Sequence, residues 1–60
     1  MDMEQITHMA GMLIDAHGDQ AHVAAARRQA EDERRGNRTE ADNWQKIRNA
    51  ISERQGPRES

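Results

Sequence analysis

Cysteine, phenylalanine and tyrosine are all missing from this 60-residue sequence, and tryptophan and proline occur once each. Without cysteine there is neither a disulfide staple nor a thiolate zinc site, a composition that fits a reducing compartment. Long apolar runs are missing too. Met12-Leu13-Ile14 is the longest run of large apolar side chains, far short of the roughly 20 residues a membrane span needs. The opening MDMEQ is acidic and polar, unlike a secretory signal. A cytoplasmic protein outside the membrane is the expectation. The four glycines are well separated, so no phosphate-cradling loop is present.

What is present is charge and alanine. Charged residues make up 33% of the chain, and nine of its twenty apolar residues are alanine. The eleven larger ones are four Met, four Ile and one each of Leu, Val and Trp. Fully burying one such side chain is worth about 1.5–3 kcal/mol, while ordering a residue costs roughly 1.5 kcal/mol. Eleven do not comfortably outweigh sixty. The chain is therefore expected to borrow part of its core from a partner, with partial disorder as the plain alternative.

The periodicity is helical throughout, and no stretch alternates as a strand would. Asp2 and Gln5 are spaced as a capping box, with Met1 and Ile6 placed as its hydrophobic staple. On a helical wheel Glu4, His8, Gly11 and Asp15 form one polar stripe. Met3, Ile6, Met9, Ala10, Met12, Leu13 and Ile14 spread over the rest, an arc of about 200° that is wider than one neighbouring helix needs. Gly18 then predicts a left-handed helix stop and Asp19 an N-cap for the next helix. That second helix has Val23, Ala26 and Ala30 as its expected inward stripe, with Ala21, Ala24 and Ala25 elsewhere on its surface, and its EDERR end projects into water. Gly36 stops it. The third helix is capped by Asn37 with Glu40 or by Thr39 with Asp42. Its core stripe is Trp44, Ile47 and Ile51, at i, i+3 and i+7. Asp42, Lys46, Asn49 and Glu53 face the other way, and Gly56-Pro57 ends the helix. The expected fold is all-α: three short helices over about 3–17, 20–35 and 39–55, assembled as a homodimeric helical bundle in which the first helices pack together, in a single helical domain (1–55) with a polar tail (56–60).

His17-Gly18-Asp19, the Ala-Ala-Arg-Arg segment ending in Arg27-Arg28, Gly36 and Trp44 carry a resemblance. From about Met12 to Gln55 the chain resembles a group of small helical proteins common in alphaproteobacteria. These tend to have a His-Gly-Asp break, an Ala-Ala-Arg-Arg segment, a Gly-Asp turn and a Trp-centred last helix. The resemblance implies the helical fold and no particular activity. Two departures stand out: Asp32 and Glu33 occupy positions where the group carries leucines, and Asn37 replaces its usual Asp. The first weakens the core expected near the end of the second helix.

Chemistry has little to work with. His17 and His22 flank the Gly-Asp break with Asp15 and Asp19 nearby, and two His with a carboxylate is a possible transition-metal set. The five-residue spacing does not put both His on one helix face, and His17 reads more simply as a partner for helix-end carbonyls. The hydroxyls, Thr7, Thr39, Ser52 and Ser60, lie in no recognisable nucleophile setting. Carboxylate pairs such as Asp2/Glu4 and Glu31/Asp32/Glu33 have too little volume around them to be desolvated. The expectation is no enzyme, no catalytic residue, no metal and no cofactor.

Binding remains. The first nineteen residues carry four acids and no Lys or Arg, whereas Gln20 to Arg38 hold five arginines against three acids. Arg27, Arg28, Arg34, Arg35 and Arg38, with Lys46 from the last helix, are the candidate nucleic-acid contacts. In a helix-turn-helix arrangement, Gln45, Lys46, Arg48 and Asn49 would be offered to base edges. The overall charge of −2 and the single aromatic count against that reading. The acidic stripe of the first helix counts against an anionic membrane surface. A protein partner engaged through the Met-rich first helix, a second copy included, accounts better for the wide apolar arc. Ile6, Met9, Met12, Leu13, Trp44, Ile47 and Ile51 are the candidate interaction or core residues. The function expected is a non-enzymatic interaction or adaptor role, with a small DNA- or RNA-binding regulator as the alternative.

Overall fold

The computed structural model describes residues 2–55, and all of its regular structure is helical. Helix α1 spans Met3–His17, a single 3-10 turn covers Gly18–Gln20, α2 spans Ala21–Arg35 and α3 spans Arg38–Gln55. The first three pieces follow one another without a break, so residues 3–35 are one helical run turned at Gly18 rather than two separate helices. Met1, the Gly56-Pro57 stop and the polar tail lie outside the described residues.

The start of α1 is set as its sequence implies. Asp2 is extended, and its carboxylate accepts from the Gln5 N–H at 3.0 Å, satisfying one of the amides that a helix N-terminus leaves free. The junction differs from expectation. Gly18 has φ 59° and ψ −126°, outside the left-handed helical well, and its N–H donates to the Ile14 carbonyl. The chain then enters the 3-10 turn directly, with Ala21 donating back to Gly18. Asp19 therefore lies inside that turn and does not cap α2; the position before α2 belongs to Gln20, whose side chain makes no capping bond. At the second corner Gly36 is left-handed (φ 80°, ψ 15°) and its N–H returns to Asp32 and Glu33, the usual use of glycine past a helix end. Asn37 immediately precedes α3, accepting from the Ala41 N–H through its backbone carbonyl at 2.9 Å. Thr39 is already one residue inside the helix.

The helices run up, down and up. Gln29 of α2 bonds Gln45 and Arg48 of α3, and the Gln55 side chain donates to the Gly18 carbonyl at 3.0 Å, which makes α2 and α3 antiparallel. Helix α1 runs the same way as α3. Its Met3 and Ile6 share a surface depression with Lys46, Asn49 and Ala50, and Gly11 lies under the Arg54 guanidinium. A Cβ at Gly11 would sit 3.2 Å from an Arg54 terminal nitrogen.

Ile6 and Ala10 of α1, Ala21 and Ala25 of α2, and Ile47 and Ile51 of α3 form the core, with Met9, Leu13, Ile14, Trp44 and Ala50 packed around it. On α3 the inward face agrees with the expected stripe, and Ala41 and Asn43 join it. On α2 it does not. Ala21 and Ala25 are fully buried, while Val23 is 43% exposed, Ala26 is half-buried and Ala30 is exposed. Val23 is two residues from Ala21, about 200° around a helix of 3.6 residues per turn, so the two sit on nearly opposite faces. The edge with only methyl side chains turns inward because it lets the backbones of α2 and its neighbours approach closely.

Candidate interaction surface

The seven candidate interaction or core residues separate into layers. Ile6, Ile47 and Ile51 are buried inside the molecule and present nothing to a partner. Met9, Leu13 and Trp44 are half-buried at the edge of the core. Met12 is 53% exposed, and Met3 is 70% exposed. Of the ten large apolar side chains among residues 2–55, only those three isoleucines are buried. Met3 and Val23 are surface residues that the sequence pattern assigned to apolar faces, and nothing in their spacing distinguishes them from core residues.

Along one side of α1, exposed Gln5, Met12 and Ala16 fall in register with half-buried Met9. Gln5, Met9, Met12 and Ala16 follow one another at intervals of four, three and four, the spacing of a seam that faces a second helix. The flank of that seam carries Glu4, His8 and Asp15, all exposed. The outer face of α2 carries Val23, Ala26 and Ala30 at i, i+3 and i+7, beside Arg27 and Arg34. Those two arginines border a depression with Ala30, Glu31 and Glu33, and neither makes an ion pair among the described residues.

The other candidate nucleic-acid contacts are dispersed and largely engaged within the chain. Arg28 lies over the Trp44 ring, 5.7 Å from its centroid. Arg35 pairs with Glu31 at 3.5 Å and Lys46 with Asp42 at 3.5 Å, all on exposed side chains, pairs worth about 0–1 kcal/mol each. Arg38 opens α3 beside a depression that also contains Glu33 and Asp42. The would-be reading face of α3 is spent on its own neighbours. Gln45 accepts from Gln29 at 3.2 Å and donates to Asn49 at 3.2 Å. Arg48 donates to Gln29 at 2.8 Å, and its Nε is buried without a partner among the described residues. Helices α2 and α3 also lie side by side and antiparallel, not at the roughly 90–120° of a helix-turn-helix.

Among the described residues no group of three or more His, Asp or Glu is placed to hold a metal ion, and His17 and His22 sit on either side of the 3-10 turn. Thr7, Thr39 and Ser52 make no side-chain hydrogen bond to a base among these residues. No helix of the described residues is long and apolar enough to cross a membrane. Compared with protein-family models, with curated proteins and with solved structures, the chain has no match.

Proposed function

We propose that this chain is a small non-enzymatic interaction or adaptor module that works as a homodimer and engages through the outward face of α1. The observation that carries the reading is the 53% exposure of Met12, set at seam spacing with half-buried Met9 and exposed Gln5 and Ala16 on one side of α1. A methionine-rich face adapts to a partner because its unbranched thioether side chains repack readily. A chain with so few large apolar side chains in its core gains from sharing such a face, since each buried one contributes about 1.5–3 kcal/mol. The intramolecular use of Gln45, Arg48 and Arg28 supports this reading over nucleic-acid binding.

Sedimentation equilibrium over a wide concentration range tests it. A dimer at micromolar concentration, weakened at least tenfold by Met12→Lys while the helical circular dichroism is kept, is the expected result. A monomer at every concentration, indifferent to Met12→Lys, defeats the homodimer.

A further inference from the structure

If the chain pairs with itself, the seat for α1 on the partner copy has to be found, and charge decides between the candidates. The simplest arrangement sets α1 against α1 of the second copy. Helix α1 and the turn after it carry Glu4, Asp15 and Asp19 with Asp2 at the cap, and no Lys or Arg. Pairing two such helices brings like charges together along the seam, an arrangement that is destabilising between neighbouring helices.

The outer face of α2 offers two arginines whose neighbouring carboxylates are engaged on their own helix, Glu31 by Arg35 and Glu33 by Gln29. Val23 and Ala30 supply an exposed, shallow apolar strip, and Arg27 and Arg34 stand beside it with no ion pair among the described residues. Small side chains let a bulky methionine face lie close. The two faces are also similar in length: α1 and α2 have 15 residues each, about 22 Å at 1.5 Å per residue. The α2 face lies away from α3, and of α3 only Arg54 lines the depression that Glu4, Met12 and Asp15 share on α1. Helix α3 meets α1 at Ile6, Thr7 and Gly11 and meets α2 at Gln29.

Resting on the homodimer reading above, we infer that the occupant of the α1 seam is the outer face of α2 in a second copy, so that Met12 packs on Val23 and Ala30 while Glu4 and Asp15 face Arg27 and Arg34. A two-fold axis makes the arrangement reciprocal. Each α1 seats on the other chain's α2, every contact occurs twice, and the assembly closes at two chains. Helix α3 stays on the outside of both halves.

A charge-swap experiment on the full chain separates this from its rivals. Arg27→Glu/Arg34→Glu and Glu4→Arg/Asp15→Arg change exposed side chains only, and circular dichroism checks that each variant stays helical. Sedimentation equilibrium is expected to show a wild-type dimer, at least a tenfold loss of affinity for each variant alone, and recovery of a mixed dimer when the two variants are combined in equal amounts. A dimer that tolerates Arg27→Glu/Arg34→Glu but is broken by Met12→Lys overturns the α2 seat and leaves the α1-mediated homodimer standing. A wild-type monomer at all concentrations overturns both. Loss of affinity in each variant without recovery on mixing overturns the reciprocal pairing.

Discussion

Around the turn between α1 and α2 the helices meet through methyl groups and isoleucines, whereas toward the turn between α2 and α3 they meet through amides and guanidinium groups. The first region holds Ile6, Ala10, Ala21, Ala25, Ile47 and Ile51. The second holds the Gln29–Gln45–Arg48 cluster and Arg28 over Trp44. Apolar packing is non-directional and roughly proportional to buried area, so the first region supplies most of the free energy. Hydrogen bonds have strict geometry but add only about 0.5–1.5 kcal/mol each, so the second region chiefly sets how α2 and α3 align. A chain poor in large side chains has put stability in one half and register in the other.

That division can be broken in order of expected effect. Ile51→Ala, at a side chain with no exposure, is expected to cost about 2–5 kcal/mol, read as a lower urea midpoint or loss of the folded state. Ala25→Leu, also at zero exposure, should destabilise by about 1–3 kcal/mol through overpacking. Heating followed by circular dichroism would report it as a lower Tm. In the polar half, Gln29→Ala removes the acceptor of Arg48 and the donor to Gln45, and urea titration should show a loss of only about 1 kcal/mol. Equal losses for Gln29→Ala and Ile51→Ala would dissolve the distinction between the halves. The smallest effect belongs to Arg28 and Trp44. A double-mutant cycle to Ala at both positions should give a coupling of about 0.5–1 kcal/mol, and a coupling of zero would reduce their stacking to proximity.

The sequence was most legible where one large side chain marked a face. Trp44, Ile47 and Ile51 made the inner side of α3 plain, and Asp2 announced the start of α1. Helix α2 was illegible for a physical reason. It has alanines at 21, 24, 25, 26 and 30, so every face of its wheel is weakly apolar and Val23 was the only directional signal. Burial there is decided by how closely backbones can approach, which favours Ala21 and Ala25 and turns Val23 outward. The Gly-Asp pair suggested a stop and a restart, but only the backbone angles of Gly18 show that the helix tightens into a 3-10 turn and carries on, leaving Asp19 without a capping role. For the candidate surface, the width of the apolar arc on α1 was readable, but which of its residues stay outside depended on where α3 lies.

The two corners of the fold are short: one 3-10 turn, then Gly36 and Asn37. Helices adjacent in the chain are thus adjacent in space, and little loop entropy has to be lost before their contacts form. Small helical proteins with such local connectivity fold within microseconds to milliseconds. At micromolar concentration, two chains associating at typical rates would pair on the order of 0.1–10 times per second. Folding is faster by orders of magnitude, so a homodimer of the proposed kind would join finished bundles instead of intertwining unfolded chains, and its rate per chain would rise in direct proportion to concentration.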